Sequence, residues 1–211
     1  YDRLWLCNMS SEGSLREYAL MVLRFKALYR LVFENRVVRS LLRSIPSLGE
    51  FTMAGKFWFH TSETLADGRP KYDHVVLDAP ATGHAITFLA VSRVVADLAP
   101  AGRMKDEATR MARMVESAST CLHIVSRPEE MPVNEALDLE TQATSKVRIH
   151  PGVAVVNRFG PHLLGESDRS AVEALSGPWA QWSAVGRAVL ERGAIARAEL
   201  ERYAATTALP I

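Results

Sequence analysis

Apolar and polar positions alternate along this chain with two different periods. From Leu15 the apolar residues fall at Tyr18, Val22, Phe25, Tyr29 and Val32, steps of three and four that predict a helix. Leu20, Met21, Leu23, Leu28 and Leu31 widen the stripe well beyond one face, so the helix is read as packed on two sides within the protein or, alternatively, as covering something apolar. Ser10, Ser11 and Ser14 offer N-caps, with Glu17 in capping-box spacing to Ser14. A second helix is predicted over Val37, Val38, Leu41, Leu42 and Ile45, stopped or kinked by Pro46. A third carries Phe51, Met53, Ala54, Phe57, Trp58 and Phe59, before a turn over 66–70.

From there the period shortens. Val75–Leu77 is a brief apolar run between polar and turn residues, read as a strand buried on both faces. Cys121–Val125 and Gly152–Phe159 read as buried strands too. Helices are expected over 85–99, from Arg103 along Met104, Ala108, Met111, Val115 and Ala118, and over 133–139. A last helix runs from Trp179 and Trp182 toward Leu190, with Gly193 as its break and a helical 194–203 beyond. Residues 208–211 would begin a final strand. Leu4–Cys7 reads as a strand or an extended entry.

Strand, turn and helix repeating from 72 to 206 predict an α/β fold: a parallel sheet flanked by helices on both faces, in three layers. The 211 residues suffice for one sizeable core, so 1–211 is read as a single domain. A helical subregion, 12–64, is inserted before the central strand.

The candidate chemistry sits at the end of that strand. In open parallel sheets, ligands bind beyond the carboxyl ends of the strands. Asp78 lies there, followed by Ala79-Pro80-Ala81-Thr82-Gly83-His84. This stretch resembles the second switch of the ArsA-like ATPases, D-T-A-P-T-G-H, with both ends intact and three middle positions changed. That family comprises the arsenite-pump ATPase and its relatives that deliver tail-anchored membrane proteins. Pro46-Ser47-Leu48-Gly49-Glu50 is similar to the family's P-G-x-x-E element, with serine in the glycine position. Pro128-Glu129-Glu130-Met131-Pro132-Val133 and Val155-Val156-Asn157 resemble two further stretches.

The resemblance implies a P-loop NTPase-like domain that binds ATP and Mg²⁺. Asp78 would hold Mg²⁺ through water. Thr82, Gly83, His84, Pro46 and Glu50 would belong to the switch elements, and Asn157 would read adenine. It also implies a cytoplasmic protein, a possible homodimer, and a membrane-protein cargo or membrane pump subunit as partner. From the residues alone, Asn157 reads equally well as a strand-end amide capping its own turn. Asp78 reads also as a solvated acid before a Pro/Gly turn.

Several elements that the resemblance would require are missing from the sequence. There is no G-x-x-x-x-G-K-[S/T], whose backbone N–H groups and lysine cradle phosphates. In the family that loop lies N-terminal to everything present here, so the chain is read as a piece of a longer protein, inactive alone. A C-x-x-C that would pin a dimer through zinc is absent, as is a cysteine cluster for arsenite. Cys7 and Cys121 match no metal-ligand spacing, and Cys121 is read as an apolar strand residue in a reducing cytosol. Lys+Arg of 25 against Asp+Glu of 24 argues against a nucleic-acid surface. His60, His74, His123, His150 and His162 are read as structural, whereas His84 would couple the motif to the following helix.

The alternative function is a non-catalytic interaction module of the same fold without a P-loop. A division-site or partition ATPase is a third reading, and the Thr-Gly-His ending argues against it.

Overall fold

A computed structural model describes residues 3–23, 47–159 and 164–211. The predicted helix over 37–45, the far half of the helix from Leu15, Pro46 and His162 lie outside the described residues. The chain divides into two compact units, 1–120 and 121–211.

The first unit is helical. It contains α1 (Ser11–Leu23), α2 (Leu48–Ser62), α3 (Thr82–Leu98) and α4 (Arg103–Val115). Ser10 caps α1: its hydroxyl accepts the Gly13 N–H at 3.1 Å. Glu17, expected to close a capping box, instead meets Lys56 of α2 at 2.9 Å. Phe51 and Ala54 of α2, Phe88, Val91 and Ala96 of α3, and Ala108 and Met111 of α4 form one buried cluster. A bidentate ion pair from Arg93 to Glu116 clips α3 to the end of α4. The methionine stripe of α4 is therefore core at Met111, which is 2 % exposed; only Met104, at 52 %, faces solvent.

The central strand expected at Val75–Leu77 is not formed. Residues 74–80 take no regular secondary structure and pair with no strand among the described residues. Val76 is 90 % exposed, and Leu77 packs half-buried on the Phe51–Phe88 cluster. A strand is stable only where a neighbour takes up its N–H and C=O groups, and an apolar run does not specify that neighbour. Leu4–Leu6 is likewise exposed and unpaired.

The second unit holds the sheet, made of β1 (Cys121–Ser126) and β2 (His150–Val156) in parallel. Between them α5 (Glu130–Gln142) runs on into a π turn, Ala143–Val147. A short α6 (Arg169–Glu173) and a long α7 (Ala180–Thr206) follow. Ile124, Ser126 and Ala154 are buried, as are Val133, Ala136 and Leu139 of α5. The opposite face, with Cys121, His123, Val125, Val153 and Val155, is exposed. These strands were expected to be buried on both faces; they are buried on one, because helix α5 packs against β1 from that side only. The layered sheet is thus reduced, among the described residues, to two strands in a helix-rich chain.

Gly193 does not break α7, which continues through it with Gly193 buried. Helix α7 packs closely at Gly186 instead, where an added Cβ would stand 2.6 Å from Val172 of α6. Residues 208–211 form no strand, yet the Pro210 carbonyl accepts the Ala154 N–H at 2.8 Å. Glu140 holds this segment, accepting from the Thr207 hydroxyl at 2.6 Å and the Ala208 N–H at 2.9 Å.

Candidate functional site

The stretch 60–84 begins at the end of α2. His60 Nδ1 lies 2.8 Å from a Glu63 carboxylate oxygen, and Lys71 donates to the other oxygen at 2.9 Å. The His60 hydrogen bond first, and the Lys71 one second, hold the Glu63 carboxyl below its ordinary range. The backbone closes the same loop: Lys71 N–H donates to the Glu63 carbonyl at 2.9 Å, around a Thr64–Pro70 bridge. Lys71 stands 5.1 Å over the Tyr72 ring, and Trp5 meets that ring edge-on at 5.6 Å. The chain thus enters the irregular segment 74–80 from an anchored point.

Beyond the anchor, Leu77 still packs on the Phe51–Phe88 cluster. Asp78 is exposed and makes no hydrogen bond or ion pair among the described residues. Thr82 opens α3; its side chain lies outside what the structure describes. The N-cap is Ala81, a poor capping residue, and no side chain caps the helix. Gly83 and His84 are exposed in the first turn. A Cβ built on Gly83 would meet nothing within 4 Å. Among the described residues, packing therefore supplies no reason for a glycine at that position.

The other expected site residues are placed as follows. Ser47 precedes α2 with φ of 61°, the left-handed region that a glycine adopts without cost. The backbone thus takes the shape for which a glycine suits this position of P-G-x-x-E. Glu50 is half-buried in the first turn of α2, where a carboxylate complements the helix dipole. Pro46 lies outside the described residues. In the second unit, Asn157 is exposed one residue beyond β2. Its Oδ1 accepts the Arg158 N–H at 2.8 Å, so the amide caps its own turn.

The sequence reading missed two arrangements: the His60–Glu63–Lys71 anchor, and a pairing of Cys121 with His123. The second was legible in principle, because residues two apart on a strand share a face.

Among the described residues no three His, Cys, Asp or Glu side chains gather as a metal site. Magnesium needs less than that, since it keeps several waters and binds through one or two carboxylates plus phosphates. Asp78, exposed and without a partner among the described residues, fits such a ligand. A crevice in the second unit, lined by Leu122, Ile124, Glu140, Ala143, Ile149 and Leu209, has a volume of about 10 Å³ and admits no more than a water. No helix among the described residues is long and apolar enough to cross a membrane.

Comparison with known proteins points to one class. The chain is 30% identical over 123 residues to the ATPase BagA of Mycobacterium tuberculosis. The same figures hold for candidate ATPases of Mycobacterium bovis and of a second Mycobacterium tuberculosis strain. The match takes in 58% of this chain and 36% of each relative, so the chain spans about a third of the length of the curated relatives it matches. No protein-family model matches the chain.

Proposed function

We propose that the chain is part of an ArsA-like ATPase, in which residues 78–84 sense the state of a bound nucleotide. The observation that carries this reading is the start of α3. A helix N-terminus without a side-chain cap, a glycine with open space around it and, four residues before the helix starts, a carboxylate with no partner among the described residues occur together. The first-turn N–H groups of a helix attract anions such as phosphate, and glycine permits close approach. Asp78 would hold a water of the Mg²⁺ shell, and Mg²⁺ would neutralise charge on the phosphates. The similarity to proteins named ATPases supports the same class.

Asn157 would face adenine and His84 would pass the nucleotide state to α3. Glu50 and Pro46 would move with the switch. Whole-protein properties belong to this proposal as well: a cytoplasmic homodimer with ATP between the subunits, and a membrane-protein cargo or a pump subunit as partner. The buried faces of α2 and α4 supply no cargo surface, because Phe51, Ala54, Ala108 and Met111 are already core.

A non-catalytic module of the same fold is the second reading. The exposure of Asp78 and the lack of a sheet at 75–77 favour it. Turnover separates the two. In the full-length protein, Asp78→Asn should lower ATP hydrolysis by about 10²–10³-fold, with the chain 1–211 alone inactive. Unchanged turnover in that variant would remove Asp78 from the mechanism. Absence of nucleotide binding by the full-length protein, measured calorimetrically, would leave the second reading.

A further inference from the structure

The two cysteines are both free and both exposed, but their surroundings differ. The Cys7 thiol donates to the Asn8 carbonyl at 4.0 Å. Cys121 opens β1, and its Sγ lies 3.3 Å from His123 Nε2 on the same face of the strand. The other side of that imidazole is committed. The register runs from Leu122–Pro151 to Ile124–Ala154, so Gly152 and Val153 together oppose His123 in a β-bulge. The bulge turns the Val153 N–H out of the ladder, and it donates to His123 Nδ1 at 3.2 Å. A backbone N–H can only donate, so Nδ1 is the acceptor and the neutral ring carries its proton on Nε2, toward Cys121. Gly152 makes room for this: a Cβ there would stand 2.6 Å from Nδ1 and 3.0 Å from the Leu122 carbonyl oxygen.

His123 is therefore not a base for Cys121. It is a fixed donor aimed at the sulfur, in place before any charge develops there. The geometry points to Cys121 as a site of thiol modification by small disulfides, with His123 as its positioning residue. In the reaction the Cys121 thiol loses its proton to solvent and the thiolate attacks one sulfur of the disulfide. The disulfide's S–S bond breaks, a Cys121 mixed disulfide forms, and the other half leaves as a thiolate. Cys121 is oxidised and the small disulfide is reduced, with no further reactant. The thiolate is the attacking species in such exchange, and access sets which sulfur reacts.

The test uses the chromogenic disulfide dithiobis(nitrobenzoate) on the folded chain, with Cys7→Ser and Cys121→Ser variants separating the two thiols. Cys121 should react about tenfold faster than Cys7. His123→Asn keeps an acceptor for the Val153 N–H but is too short to reach the sulfur. It should bring Cys121 down to the rate of Cys7 with the melting temperature unchanged. In urea-unfolded protein the two cysteines should converge. Equal rates in the folded wild type, an undiminished Cys121 rate in His123→Asn, or an excess that persists after unfolding would each overturn the assignment.

Discussion

Two apolar runs in this chain read alike and end differently. Val75-Val76-Leu77 in the first unit and Leu122-His123-Ile124-Val125 in the second are both short and both bounded by polar or turn residues. In the second unit the run finds β2, and Ile124 reaches 3 % exposure. In the first it finds no strand, and Val76 stays 90 % exposed. Burial follows from pairing: only a strand whose backbone groups are satisfied can lay one face on a core. The first unit instead draws its core from three helices. Its irregular segment leads from a tethered Tyr72 to Asp78, which has no partner among the described residues, and to a helix without a side-chain cap.

Substitution at matched positions breaks or sharpens this contrast. Ile124→Ala should cost about 2–5 kcal/mol, since it opens a cavity in a packed site, whereas Val76→Ala should stay within about 0.5 kcal/mol. Urea unfolding of both variants measures the difference, and a large cost at Val76 would show that residues 75–77 are paired after all.

A smaller effect probes the interior of the second unit. The Tyr203 hydroxyl is buried with no well-formed hydrogen bond among the described residues; burial first, and the Glu140 carboxylate second, push its titration up against a weaker pull from the Thr207 hydroxyl. A raised value means that stability is intact below the unfolded value near 10 and falls as pH rises through the folded one. Tyr203→Phe should gain about 1 kcal/mol by removing the orphaned hydroxyl. It should also flatten the alkaline loss in thermal melts followed from neutral pH to beyond the tyrosine range.

The smallest effects address the first unit's candidate site. Gly83→Ala should stabilise the chain by about 0.5–1 kcal/mol, because the position is helical and open. Ser47→Gly should gain a similar amount by relieving the left-handed serine. If α3 receives a nucleotide, Gly83→Ala will lower ATP turnover in the full-length protein while raising the melting point. A glycine with only a structural role would leave turnover unchanged.

Most of the described helices were legible from sequence, the expected break at Gly193 excepted. Their apolar spacing of three and four, the Ser10 cap and the turn at 66–70 are local signals, and a helix satisfies most of its backbone within itself. Asp78, Thr82, Gly83 and His84 could also be singled out, because their order resembles a known motif. The uncapped start of α3 was not legible, and neither was the hydrogen bond from Val153 to His123, since a bulge shifts the register by one residue. The sequence by itself determined where the chain coils and which residues carry candidate chemistry. Only the tertiary structure decided which apolar runs become strands, because a strand's hydrogen bonds belong to a neighbour distant in sequence.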